Sequence, residues 1–493
     1  MSFEISMRGR LRNAEIEGSN KPFRKRLKPK GSSSGFLNFP ATFKKSCIQK
    51  LKLKKRIPPP AFYFTSNILI MELLASKKLK RNKKSKVLRS LKYEIKKEIG
   101  PGVITGGADN DPAGIVTYTT VGALYGYALL WVLFICTPLM IVIQEMASRL
   151  ALVKRKGLST IIKEHYGKRT ATITMLLLSI VNIATIGADI AGMAAVLGLI
   201  TGINWYFYII PLTVFIGYFV VFKKYRFIRN FLLALTGLLV VYIISSFLSN
   251  PNWYHVALGF IPSFIPRTSF IAAIIGVIGT TISPYLLFWQ ASEELEEHKT
   301  ILKPKEIGID TAIGMCWSNI IAAFIIIAAG STLYAHHISV NSAEQAALAL
   351  KPLAGELAYF LFSIGILISG FLALPVLAGS TAYAVSETFG WREGLNKKVF
   401  SAKGFYFVFM LSLLVGSFLA FLPINPIHFL YYTQILDGFL TPFLAIILLL
   451  LCNNEKIMGR YKNNKISNFF GILLVLILLF FDSFLVFQIF RCL

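Results

Sequence analysis

From Gly100 to the C-terminal end the sequence is dominated by long apolar stretches, and these decide the fold class before any motif does. A run of about 20 apolar residues crosses a bilayer as a helix, because a helix satisfies its own backbone groups where no water can. Spans are predicted at 100–121, 124–152, 170–201, 204–222, 226–249, 268–292, 307–335, 353–388, 401–423, 427–452 and 466–490, eleven in all. Composition agrees: 55% of residues are hydrophobic and 15% charged, against roughly 25% charged in soluble domains. A chain of 493 residues has the length of two soluble domains, but runs this long and frequent exclude them. The expected fold class is all-α, a polytopic integral membrane protein over 100–490.

Charge gives the orientation. Residues 1–99 carry 27 of the 52 lysines and arginines and six of the 24 acids, a net +21 of the chain's +28. This stretch is polar and rich in Ser, Gly and Pro up to Pro58-Pro59-Pro60, so it reads as a disordered cytoplasmic tail. A basic tail can bind nucleic acid. Beside a membrane domain, anionic lipid of the bilayer is the expected partner, and nucleic acid is not. Residues 61–76 are apolar but short, and no cleavable signal peptide is visible. Met71 stands as an alternative translation start. With the tail inside, the inside loops collect Lys154, Arg155 and Lys156, then Lys223, Lys224, Arg226 and Arg229, then Lys299, Lys303 and Lys305. Arg392, Lys397 and Lys398 follow, then Lys456, Arg460 and Lys462. The outside regions hold only Arg267, Lys351 and Arg491. An error of one helix would break this alternation, so the N-terminus is expected in the cytoplasm and the chain in the cell membrane. Cys47, Cys136, Cys316, Cys452 and Cys492 form no CxxC spacing. They read as inert buried thiols, with no disulfide framework and no zinc site.

Two spans, five apart, are interrupted by polar residues and proline. The first carries Asp109-Asn110-Asp111-Pro112-Ala113-Gly114, the sixth Gly279-Thr280-Thr281-Ile282-Ser283-Pro284-Tyr285. Because five is odd, the two halves enter the membrane from opposite sides. Broken helices at matching places in inverted halves point to a transporter's binding site. A carboxylate at that depth costs a few kcal/mol and persists if it meets a cation, a partner or water. Pro112 leaves the carbonyls before it without donors. Carboxylate, carbonyl and water oxygens suit a hard divalent cation. The bland reading is a proline kink with Asp109 or Asp111 capping the resumed helix, and hydroxyls of Thr280, Thr281 and Ser283 bonding back along theirs. Span three places Asn182, Thr185 and Asp189 on one face, and span ten places Gln434 and Asp437 one turn apart. These line a pathway or make interhelical hydrogen bonds. Glu145 and Arg149 read as an ion pair at i, i+4. Asp310 and Asp482 are expected to face water, and Glu293, Glu294, Glu296 and Glu297 to form a solvated face.

The stretch Asp111-Pro112-Ala113-Gly114, followed by Tyr125-Gly126-Tyr127-Ala128-Leu129-Leu130-Trp131, resembles the first two helices of the Nramp family of divalent-metal transporters. That family writes Asp-Pro-Gly-Asn at the first site and Met-Pro-His at the sixth helix. The resemblance runs over about 100 to 490 and includes Gln434. It implies a LeuT-like inverted repeat of five plus five transmembrane helices with an eleventh helix. It also implies a metal site in which Asp111 is the charged ligand. Ala113 and Thr280 would offer carbonyls, Gly114 and Ser283 would shape a hydrated cavity, and Gln434 would approach when the site closes. The departures concern the metal. The family's Asn falls on Gly114, its Met on Ser283, its His on Tyr285, and a second acid of helix three on Gly192. Helix nine has no Arg. Loss of the thioether removes a preference for softer metals, and loss of both side chains leaves more room. Mg2+ keeps several of its waters, so the pattern resembles the Nramp-related magnesium-transporter branch.

The expectation is therefore a secondary transporter of divalent cations, Mg2+ first and Mn2+ second, working by alternating access. It is not an enzyme, and it needs no cofactor beyond the metal it carries as substrate. Asp109, Thr281, Tyr285, Asn182, Thr185, Asp189 and Asp437 are expected in the vestibule or pathway. The rivals are a proton-coupled Mn2+/Fe2+ transporter, an organic-solute symporter on the same fold, a non-transporting receptor, and an intramembrane aspartyl protease. The protease would need two carboxylates on different helices to share a proton, and no Gly-x-Gly-Asp stretch is present.

Overall fold

Proline at the start of a helix costs nothing, since the first N–H is unsatisfied anyway, and two spans restart on one. In the computed structural model, which describes residues 100–297, 304–337 and 343–492, the first span is α1 (Pro101–Ala108) followed by α2 (Pro112–Tyr125). The sixth is α9 (Thr268–Thr281) followed by α10 (Pro284–Glu296). Between them come α3 (Leu130–Lys154), α4 (Leu158–Thr201), α5 (Tyr206–Phe222), then α6 (Tyr225–Leu238) with α7 (Val240–Leu248), and the short α8 (Trp253–Leu258). After them come α11 (Pro304–Ala329), α12 (Ala343–Phe389), α13 (Lys403–Ala420), α14 (Pro426–Asn453), the short α15 (Glu455–Met458) and α16 (Lys465–Cys492). No strand occurs among the described residues. The tail over 1–99, with Met71 and Cys47, lies outside them.

Among the described residues, nine helices are long and apolar enough to cross a membrane. The other two predicted spans are α5, which is shorter, and the interrupted first span. Large apolar side chains such as Phe134, Phe207, Phe407, Phe418 and Phe469 are exposed on the outer faces, as lipid contact requires. The third span differs from prediction: α4 starts at Leu158, and Gly167 at φ 87° marks a kink before the long helix begins.

The packing map shows the repeat. α1 packs on α11 and α6, spans seven and five; α9 and α10, five spans on, pack on α14 and α3, spans ten and two. α4 and α12, spans three and eight, pack on each other. α4 also packs on α14, and α12 on α6 and α7. Exchanging each span with the one five away preserves these partnerships, which makes the fold five plus five. α16 lies outside the repeat, against α14 and α9. The halves approach closely where side chains are missing. A Cβ on Gly106 would fall 2.0 Å from the Gly314 carbonyl oxygen, and one on Gly279 would fall 2.1 Å from that of Gln434.

Three expectations of exposure fail. Asp310 does not face water: it is buried, and its two oxygens accept from the N–H groups of Gly100 (2.7 Å) and Gly102 (2.8 Å). It thereby holds the start of α1, whose N–H groups have no intrahelical partner. The glutamates ending α10 are not a solvated face either. Glu293 and Glu294 are buried. Tyr225 donates to Glu293 (2.6 Å), Tyr383 to Glu296 (2.5 Å), and Arg229 pairs with Glu297. Asp482, which lies within α16 ten residues before its end, is buried too. The Glu145–Arg149 pair forms as predicted, at 2.8 Å. Cys136 and Cys452 are buried free thiols, whereas Cys316 is exposed.

Candidate metal site

The two interruptions meet at the centre of the fold. Asp109, Asn110 and Asp111 separate α1 from α2, and Ile282 and Ser283 separate α9 from α10. The sixth span is braced by α14, where Thr441 Oγ1 donates to the Ile282 carbonyl at 3.0 Å. Tyr285 Oη crosses from α10 to α1 and donates to the Ala108 carbonyl at 2.9 Å. Tyr118 of α2 lies 3.3 Å from Thr281 Oγ1.

The N-terminus of α2 is held by two carboxylates. Asp111 Oδ1 accepts from the Gly114 N–H at 2.5 Å, and Asp189 Oδ1 of α4 accepts from the Ala113 N–H at 3.0 Å. Capping and the helix dipole both favour negative charge there. Each carboxylate keeps one buried oxygen without a hydrogen-bond partner, Asp111 Oδ2 and Asp189 Oδ2. Asp109 accepts from Ser318 Oγ of α11, and its Oδ1 is likewise unpartnered. Asn110 donates to Ser318 Oγ at 2.9 Å. From α14, Gln434 and Asp437 are fully buried with no hydrogen-bond partner at any side-chain oxygen or nitrogen. Asp189, Asp437 and Tyr285 all lie within electrostatic range of Asp111.

Not every candidate reaches this point. Asn182 donates to Ser380 Oγ and Thr381 Oγ1, each at 2.9 Å, and so joins α4 to α12. Thr185 and Thr281 bond back to Val181 O (3.0 Å) and Val277 O (2.5 Å). Ser283 Oγ donates to the Gly279 and Thr280 carbonyls, at 3.1 and 2.9 Å. The Thr280 carbonyl is thus shared with a hydroxyl. Ala113 does not offer its carbonyl, which points into α2 and accepts from Thr117 Oγ1 at 2.8 Å. A helix's free carbonyls lie at its C-terminus, so the carbonyl that faces the break is that of Ala108. Gly114 does not leave room: a Cβ there would fall 2.5 Å from Thr280 Oγ1 and 2.9 Å from Asp111 Oδ1. The polarity of Asn110 and the C-terminal position of Ala108 were both visible in the sequence. Ser318, which binds Asp109, was hidden within an apolar span.

Among the described residues, no three His, Cys, Asp or Glu side chains converge to hold a metal by themselves. The chemistry available is one carboxylate oxygen at Asp111, further carboxylates nearby, and hydroxyl, amide and carbonyl oxygens, with a serine, Ser283, at the sixth-span break.

The family described as natural resistance-associated macrophage protein-like matches residues 102–488. The chain belongs to the Nramp family. Two relatives of this Nramp chain are each named divalent metal cation transporter MntH. That of Deinococcus radiodurans is 23% identical over 410 residues, covering 79% of this chain and 89% of its own. That of Staphylococcus haemolyticus is 25% identical over 429 residues, covering 80% and 92%. The crystal structure of the Eremococcus coleocola manganese transporter superimposes with a TM-score of 0.63 at 22% identity, over 78% of this chain and 84% of that one. The Nramp fold, with eleven spans and five-plus-five organisation, is therefore the fold of this protein.

Proposed function

We propose that this Nramp protein moves divalent cations across the cell membrane by alternating access, magnesium first and manganese second, with residue 100 on the cytoplasmic side. It is a transporter, not an enzyme. The observation that carries the reading is Asp111. One of its oxygens caps α2, and the other is buried with no protein donor. Leaving a buried polar atom unsatisfied costs about 1–3 kcal/mol, and a cation with its waters is what such an oxygen fits. The relatives' names supply the divalent class. The preference for magnesium rests on the donors, oxygen only with Ser283 where the family has a thioether. The same geometry disfavours an organic-acid symporter. The Ala113 and Gly114 N–H groups, which would bind a substrate carboxylate, already donate to Asp189 and Asp111.

The test is Mg2+ and Mn2+ uptake into proteoliposomes by Asp111→Asn, with folding checked by monodispersity and thermal unfolding. Uptake should fall to the protein-free background for both ions. Uptake near the wild-type rate would overturn the assignment.

A further inference from the structure

Four buried carboxyl groups surround the break, and they differ in what they hold. Asp109 accepts from Ser318, Asp111 from Gly114 and Asp189 from Ala113. Asp437 accepts from nothing at either oxygen, yet it is fully buried. Its position is fixed by neighbours on α14. One turn earlier, Gln434 presses its backbone against Gly279. One turn later, Thr441 bonds both the Asp437 carbonyl (2.7 Å) and the Ile282 carbonyl (3.0 Å). The α14 segment carrying Asp437 therefore runs along the sixth-span break, within electrostatic range of Asp111. Gln434, also without partners, lies on the same face.

From this we infer that Asp437 is a second anionic contact for the transported cation. It faces Asp111 across the site and accepts hydrogen bonds from the waters that the ion keeps. The inference rests on the divalent-cation reading of the same site. A divalent ion needs two carboxylates to be neutral in a low dielectric, and Asp437 is the neighbour of Asp111 with both oxygens free of protein donors, where Asp109 and Asp189 each spend one on the protein. Water-mediated contact fits an ion that sheds its shell reluctantly. Gln434 then presents an amide that turns either its oxygen or its nitrogen to the same shell.

The experiment is calorimetric binding of Mg2+ to purified wild type, Asp437→Asn and Asp111→Asn, with thermal unfolding of each measured with and without the ion. Asp437→Asn should fold and weaken Mg2+ binding on the order of tenfold or more through the lost charge. Its ion-free Tm should be unchanged or higher, since no hydrogen bond is lost, and the Mg2+-dependent rise in Tm should shrink. Wild-type affinity in Asp437→Asn, with affinity lost in Asp111→Asn, would overturn the inference and leave the function standing. A lowered ion-free Tm in Asp437→Asn would overturn it too, by showing a structural role. Absence of Mg2+ and Mn2+ binding by the wild type would overturn the function and this inference with it.

Discussion

At Gly114 the absence of a side chain is used. The sequence reads as a site widened by the loss of an amide and a thioether, but Thr280 Oγ1 and Asp111 Oδ1 occupy the space a Cβ would take. Gly114→Asn alone should therefore displace Thr280 or Asp111 and reduce uptake of both ions several-fold. Adding Thr280→Ala should relieve the closer of the two clashes and recover part of the uptake. Adding Ser283→Met as well should supply a soft donor and shift preference toward Mn2+ by about tenfold. Competition between the two ions in proteoliposomes measures this. An unchanged Mg2+/Mn2+ ratio in the triple variant would place selectivity elsewhere. Asp111 was legible because Pro112 follows it, and proline fixes both the break and the cap. Asn182 was not, because its pattern shows that a face is polar but not that Ser380 and Thr381 of α12 are what it meets. Ala113 was misjudged because hydrogen-bond direction, not proximity to the motif, decides which carbonyls are free.

Among the elements, the spans were legible and their ends were not. Apolar length sets a span, whereas a polar helix end meets either water or another helix end, and sequence does not distinguish the two. The junction of α10, α12 and the loop after Phe389 is the clearest case. Glu387 accepts from Ser159 N–H and Ser292 Oγ, each at 2.9 Å, and Glu296 accepts from Leu395 N–H at 2.6 Å and Asn396 N–H at 2.8 Å. Glu393, in the loop beyond the span, has one oxygen with no donor. Burial, then the charges of Glu387 and Glu296, push its carboxyl up to about 9 from an ordinary 4.5. The folded protein therefore binds this proton more tightly than the unfolded chain does. Its contribution to stability is fully present below pH 4.5 and is lost as pH rises toward 9. Glu393→Gln should flatten the fall in thermal midpoint between pH 5 and pH 9 relative to wild type. Parallel profiles for the two proteins would show that the group is not held as described.

For the whole molecule, energy coupling follows from which groups line the route to the cytoplasm. Proton symport needs a titrating group at the site and a polar route to the cytoplasm. Tyr285 stands where the family has His, and its hydroxyl is a strut to the Ala108 carbonyl. It is a phenol, of ordinary pKa about 10. Gly192, where the family has a second acid, packs on α14 and Pro112: a Cβ there would lie 3.1 Å from Leu430 and 3.7 Å from Pro112. A side chain added on that face of α4 would press on Leu430. α13 runs Lys403–Ala420 without Arg or His. Asp189 remains, but one of its oxygens is committed to Ala113. Potential alone is a sufficient drive. At 100 mV, inside negative, it supplies roughly 2.3 kcal/mol per charge, about 4.6 for a divalent ion, enough for an inward gradient on the order of a thousandfold. Mg2+ uptake should accordingly be potential-driven and carry no protons. A pH-sensitive dye inside proteoliposomes, with the potential clamped, should report no change during uptake. Acidification that requires Mg2+ and disappears in Asp111→Asn would refute the uncoupled mechanism and restore a proton route through Asp189.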